Sequence, residues 1–247
     1  MQKIKISVVS YLNSKPFIYG LQHAAIMDGI DLQLDIPSVC AQKLLDGKVD
    51  IGLIPVAVIP KLKEAHIISD YCIGAVGKVS SVMLYSEVPL EEITQVLLDY
   101  QSRTSVTLVK VLAERAWKIT PEWLPAQADY ETKVSGTTAA VIIGDRTFGL
   151  EGKYRYVYDL SEEWQKLTGL PFVFACWVSN KKLPEDFINS FNRALAKGLN
   201  ERPALIAELT AAGTYKTDVA SYLNRSISYG LDAAKKQALE LFLSYLG

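Results

Sequence analysis

The chain has 247 residues, with 26 basic and 27 acidic side chains and a formal net charge of -1, enough to bury a substantial core in one large domain or two lobes. Charges of both signs are spread along it without a basic stripe or a like-charge block, which argues against nucleic acid or an anionic membrane as partner. A hydrophobic fraction of 49%, with no apolar run of bilayer length, describes an ordinary globular protein.

The first apolar run, residues 4–9, predicts a buried strand, and Pro16 suits the first turn of a helix over 16–28. Residues 31–36 alternate as a second strand. Ser38 is a candidate cap for a helix to Leu45, closed by Gly47, and 50–54 gives a third strand ending at Pro55. Strands separated by helices make successive βαβ units and predict a parallel sheet with helices on both faces. Two more strands follow at 67–75 and 80–85. Character changes near Pro89: a short apolar run at 96–98 precedes a polar stretch, and 106–117 carries apolar residues at helical spacing. Strands are expected at 139–143, 154–158 and 172–178, with a helix over 159–167 stopped by Gly169 and Pro171. Helices over 184–200, 203–212, 219–223 and 231–246 complete a helical tail. The order predicts one lobe from 1–85 plus 175–247 and a second from 86–174, with 80–85 and 172–178 as crossovers and a ligand cleft between.

Cys40, Cys72 and Cys176 are odd in number, widely spaced and set in apolar stretches, which predicts reduced core thiols. The apolar run 6–12 is too short for a signal core, so a cytoplasmic location is expected. The two histidines, His23 and His66, are remote from each other and from the cysteines, so no metal-site spacing is present. A glycine-rich dinucleotide fingerprint, Walker loop, nucleophile elbow and HExxH motif are all missing, and chemistry is left to oriented polar groups.

Four stretches fit such a task. Asn13-Ser14-Lys15 follows the first strand, where Asn13 can donate and accept within one amide, or the stretch is simply an Asx turn and helix cap. Ser80 and Ser81 open a strand, with hydroxyls facing a cleft or forming a polar strand edge. Ser102, Arg103, Thr104 and Ser105 precede a helix, where hydroxyls, free N–H groups and a guanidinium suit a carboxylate, or form one cap beside a solvent-facing arginine. Asp145, after a buried strand, either caps a helix or orients Arg146 or substrate hydroxyls. Tyr11, Phe17, Trp164, Phe172, Phe174 and Trp177 offer aromatic walls, of which most belong in the core.

Five segments, in order, carry a family resemblance: Ser10-Tyr11-Leu12-Asn13-Ser14-Lys15-Pro16-Phe17, Asp50-Ile51-Gly52-Leu53-Ile54-Pro55, Asp99-Tyr100-Gln101-Ser102-Arg103-Thr104-Ser105, Ile143-Gly144-Asp145 and Thr168-Gly169-Leu170-Pro171-Phe172-Val173-Phe174-Ala175. Jointly the chain resembles the menaquinone-biosynthesis chorismate dehydratases of the futalosine pathway. The resemblance implies an α/β, two-lobed, periplasmic-binding-protein-like (type II) fold with mixed sheets and a C-terminal helical tail. It also implies a cofactor-free lyase that takes chorismate to 3-[(1-carboxyvinyl)oxy]benzoate and water. On that basis Asn13 and Asp145 are the expected catalytic residues, with Ser14, Ser80, Ser81, Ser102, Arg103, Thr104 and Ser105 binding substrate. No metal or cofactor is expected, and a homodimer is left open. A non-catalytic carboxylate receptor and a dihydroxynaphthoate synthase are the alternatives; the SYLN opening favours the dehydratase over the latter.

Overall fold

The computed structural model describes residues 3–246. Buried β-prone runs make the strands. β1 (Ile4–Val9) buries Ile6 to Val9 in succession, as a strand covered on both faces does. The chain continues through α1 (Lys15–Gln22), β2 (Ile30–Asp35), α2 (Pro37–Leu45), β3 (Ile51–Pro55) and β4 (His66–Ala75). It then forms β5 (Val82–Ser86), β6 (Gln95–Leu98), α3 (Thr104–Leu112), β7 (Glu122–Pro125), β8 (Thr138–Ile143), β9 (Tyr156–Asp159) and α4 (Leu160–Thr168). The last part is β10 (Phe172–Ser179), α5 (Glu185–Asn200), α6 (Arg202–Ala212), the short α7 (Val219–Ser221), β11 (Ser228–Gly230) and α8 (Ala233–Ser244).

Two mixed sheets result. The first has the order β11-β4-β10-β3-β1-β2 and the second β7-β6-β8-β5-β9. β1 runs parallel to β2 and β3, whereas β10 is antiparallel to both β3 and β4. β6 runs parallel to β7 and β8, and β5 is antiparallel to β8 and β9. The chain passes between sheets twice, through 76–81 and again through 169–171. One apolar cluster is continuous through both sheets, from Ile6 and Leu53 to Leu108 and Val141; a smaller one gathers Tyr85, Tyr130 and Ile142. Cys40, Cys72 and Cys176 are buried free thiols in the first sheet and its α2 cover. Among the described residues no helix is long and apolar enough to cross a membrane.

Several local expectations are corrected. The helix expected over 16–28 stops at Gln22, because Ala24 turns extended and a 3₁₀ run (Ala25–Gly29) leads into β2. Parallel pairing of Ile30 with Ile4 fixes where the chain must return, and that tertiary demand overrides helix propensity. Ser38 does not cap α2: Pro37 takes the first turn after an extended Ile36, and the Ser38 N–H donates instead to the Gln101 carbonyl at 3.1 Å. The helix expected over 106–117 starts two residues earlier and ends at Leu112 in a wider π-type turn (Ala113–Trp117). β7 and β11, four and three residues long, carry no periodicity that could announce them.

Candidate functional site

The carboxyl ends of β1, β3, β6 and β8 converge on one cavity between the sheets, where open α/β sheets place their ligands. It measures about 60 Å³ and is lined by Asn13 and Ser14 after β1, Ser81 before β5, Ser102, Thr104 and Ser105 around the start of α3, and Gly144 after β8. Tyr11, Phe174 and aliphatic side chains such as Ile73 and Ile143 complete the wall. Of the six aromatics singled out from the sequence, only Tyr11 and Phe174 reach the cavity; Phe17, Trp164, Phe172 and Trp177 are core.

The turn after β1 is a 3₁₀ run (Leu12–Ser14) that hands directly to α1, with Pro16 in the helix's first turn. Ser14 is fully buried, and its hydroxyl donates to Asn13 Oδ1 at 3.0 Å. The Asn13 carbonyl accepts from the Tyr229 hydroxyl at 2.9 Å. At the opposite wall, the Ser102 hydroxyl accepts from the Ser105 N–H at 3.0 Å and satisfies one of the orphan amides at the start of α3. The Thr104 hydroxyl is committed to structure: it donates to the Phe174 carbonyl at 3.1 Å and accepts from the Ala57 N–H at 3.3 Å. What Thr104 offers the cavity is therefore its place in the first turn of α3, where the helix dipole favours an anion.

Three of the expected site residues lie outside this lining. Arg103 is exposed, with Nη1 reaching only the Ser102 carbonyl at 3.4 Å. Ser80 is exposed in a left-handed conformation (φ 61°), and its N–H donates to Asp159 Oδ2 at 2.7 Å. The Asp145 carboxylate turns from the cavity to the Leu12 N–H, which donates to Oδ1 at 3.0 Å and Oδ2 at 3.2 Å. Burial pushes the Asp145 carboxyl up to about 6, against the pull of that N–H and the Lys15 charge.

Residues outside the expected catalytic and binding set hold these walls in place. The Asp99 side chain, fully buried, accepts from the Gln101 N–H (2.8 Å), the Ile143 N–H (3.0 Å) and Arg146 Nη2 (2.5 Å). Arg146 Nη1 also donates to Glu131 at 2.8 Å, so one guanidinium ties the loop after β6 to the loop after β8. Burial works against the Arg146 charge, but the Asp99 hydrogen bond and charge outweigh it and raise its pKa. Tyr11 donates to Gln101 Oε1, and its ring lies on Gly144, whose φ of 64° and missing Cβ leave room for it. The Asp159 carboxylate caps α4 through Ser161 and Glu162 and also accepts from Val79 and Ser80, pinning the passage that delivers Ser81. Ser81, in turn, shares a 2.7 Å hydrogen bond with the buried Tyr222 hydroxyl. Sequence signals for these were slight: Asp99 sits in a quoted motif, but Tyr222 and Tyr229 lie in the tail, far from any pattern.

Two mixed sheets with a largely apolar, serine- and threonine-edged cavity at their strand ends give a fold of the periplasmic-binding-protein-like (type II) kind. Solved structures share that fold. A protein of Archaeoglobus fulgidus superposes with a TM-score of 0.77 at 14% identity, over 99% of this chain and 96% of that one. A Candida albicans protein described as having the generic periplasmic binding protein fold gives 0.62 at 12% identity, over 98% and 90%. The alkanesulfonate-binding protein of Xanthomonas axonopodis pv. citri also gives 0.62, at 15% identity over 99% and 91%. The chain belongs to the menaquinone biosynthesis family, whose model matches residues 4–247. A chorismate dehydratase of Thermus thermophilus is 25% identical over 268 residues, spanning 100% of this chain and 96% of that protein.

Proposed function

We propose that this protein is a chorismate dehydratase, a cofactor-independent carbon–oxygen lyase that forms 3-[(1-carboxyvinyl)oxy]benzoate and water for menaquinone biosynthesis in the cytoplasm. The observation that carries the reading is the meeting of the Asn13–Ser14 turn and the start of α3 on one cavity, in a chain matched end to end by the menaquinone biosynthesis family. Chorismate carries two carboxylates, and the cavity offers two separate groups of donors. In this reading the start of α3, with Ser102, Thr104 and Ser105, holds one carboxylate, and Ser14 and Ser81 face the other, exchanging their contacts to Asn13 Oδ1 and Val79 for contacts to the anion when it binds. Arg103, at the exposed rim, draws the anion in.

The reaction breaks a C–H bond at the ring carbon bearing the enolpyruvyl ether and the C–O bond of the neighbouring ring hydroxyl. The electron pair left behind completes an aromatic ring, and the departing hydroxide takes a proton to become water. The proton acceptor is a carboxylate of the substrate itself, held against the ring hydrogen by the clamps, since neither His23 nor His66 lines the cavity. Asn13 polarises the reacting region. Asp145 supports it by gripping Leu12, one residue before, instead of meeting the departing hydroxyl. Excluding water and fixing the enolpyruvyl arm suppress rearrangement and pyruvate loss, the competing fates of this substrate.

Purified protein incubated with chorismate is expected to release the enolpyruvyl benzoate, followed by proton NMR as new aromatic signals. Asn13→Ala is expected to lower turnover about 100-fold or more. Tight binding of chorismate or another carboxylate without conversion would replace this reading with a receptor, and conversion unaffected by Asn13→Ala would remove that residue from the mechanism.

A further inference from the structure

Ser81 is buried at the cavity wall, and its hydroxyl lies 2.7 Å from that of Tyr222, 141 residues later in the chain. Either oxygen could donate to the other, and their remaining partners decide the order. Ser81 O–H can turn to the Val79 carbonyl at 3.5 Å, whereas among the described residues the phenol makes no hydrogen bond to another acceptor. With Tyr222 as the acceptor, a buried O–H would go unused, a cost that the opposite order avoids. Burial also pushes the phenol pKa up, so the hydroxyl keeps its proton. Both protons are satisfied when Tyr222 O–H donates to Ser81 Oγ and Ser81 O–H donates to Val79 O. At 3.5 Å that last contact is longer than an ordinary O–H···O hydrogen bond, so the serine proton is loosely held. The pair itself is fixed from both sides. Ser80, one residue before, is left-handed at φ 61°, a conformation that costs a serine energy and persists where its surroundings impose it. The Val79 and Ser80 N–H groups donate to Asp159 Oδ2 at 2.9 and 2.7 Å, and Ser226 Oγ donates to Ser80 Oγ at 3.3 Å. Tyr222 and Ser226 are the two ends of one π-type turn (Tyr222–Ser226), and the Phe148 ring stands edge-on to the phenol at 5.1 Å and 80°.

We propose that Tyr222 is a positioning residue for Ser81: it donates to Ser81 Oγ and so leaves the serine's own hydrogen for a substrate carboxylate entering the cavity. The carboxylate rests on the function proposed above; the donor order does not. Tyr222 does not line the cavity, so it acts through Ser81 alone. Replacing the Val79 carbonyl by an anionic oxygen exchanges a long neutral contact for a charge-assisted hydrogen bond. Tyr222 stays attached during that exchange and draws charge from Oγ, which makes the serine a stronger donor to the anion. The turn at 222–226 thereby becomes part of the site without touching the substrate.

The test is calorimetric binding of 3-[(1-carboxyvinyl)oxy]benzoate and of two mono-acids cut from it. One is 3-(vinyloxy)benzoate, which lacks the enolpyruvyl carboxylate; the other is 2-phenoxyprop-2-enoate, which lacks the ring carboxylate. Tyr222→Phe, folded by circular dichroism, is expected to raise the Kd of the diacid about fivefold or more. The same weakening should appear for one mono-acid and stay within about twofold for the other, because one carboxylate alone meets Ser81. Ser81→Ala should single out the same mono-acid, and adding Tyr222→Phe to it should change Kd by no more than about twofold. Equal weakening of both mono-acids, or a full further loss in the Ser81→Ala background, makes Tyr222 merely structural and overturns the proposal. A second measurement leaves residue 222 unchanged and serves if Tyr222→Phe does not fold. The Tyr222 hydroxyl proton, followed by NMR with labelled tyrosine, is expected to exchange slowly in the unliganded wild type and about tenfold faster in Ser81→Ala. Exchange that ignores Ser81→Ala overturns the donor order. If the diacid does not bind while the phenol proton responds to Ser81→Ala, the functional reading fails and the donor order stands.

Discussion

Asp145 is a carboxylate placed where its charge is costly. It spans the sheets, from the turn after β8 to the Leu12 N–H after β1, and burial lifts its pKa from an ordinary 3.8 to about 6. Between those two values the folded protein binds a proton that the unfolded chain releases. The stability this group contributes is therefore fully present below about pH 4 and is lost as pH rises through about 6. Asp145→Asn removes that dependence. Urea unfolding of variant and wild type, compared across pH 4 to 7, should show the variant's relative stability rising with pH and levelling above about 6; a difference independent of pH contradicts the buried carboxylate. Asp159, also raised to about 6 by burial despite four backbone donors, titrates over the same range, so the wild-type profile alone does not isolate Asp145.

At the scale of elements, the site depends on how closely α1 and α5 cross. A Cβ on Gly20 would run into the Ala194 carbonyl, and one on Gly198 into the Pro16 carbonyl, so both positions need glycine for backbone contact. Pro16 lies three residues after Asn13, which links this crossing to the cavity wall. Gly198→Ala is predicted to cost about 2 kcal/mol or more, read as a lower urea midpoint, and to depress turnover in the protein that remains folded. Unchanged stability would mean the helices sit farther apart.

What could be read in advance follows from the range of the interactions. The strand, turn and helix around Asn13 are local: a buried run, a polar turn and a proline in sequence suffice to place them. The anion-favouring start of α3 is likewise local, and so six of the nine candidate residues line the cavity. Asp145 and Ser80 went elsewhere because partners outside their own segments, Leu12 and Asp159, hold them, and Arg103 because it turns to solvent beside the Ser102 carbonyl. Tyr222 and Tyr229 could not be found this way, since their partners are 141 and 216 residues distant. β11 escaped for the same reason: three residues long, it exists only as the antiparallel neighbour of β4.

At the scale of the molecule, the two sheets share one apolar core and are bridged by polar contacts at Leu12–Asp145, Tyr11–Gln101, Ser38–Gln101 and Thr104–Phe174. The cavity lies between them and is partly open to solvent. The central claim is the position of the ligand's ring. A crystal structure with 3-[(1-carboxyvinyl)oxy]benzoate bound measures this directly. The ring should lie between the Asn13–Ser14 turn and the start of α3, with one carboxylate within about 3.5 Å of donors among Ser102, Thr104 and Ser105 and with Asn13 donating to the ligand. Product seated elsewhere, such as the open groove of about 760 Å³ beside Ile67 and Leu243, would contradict it.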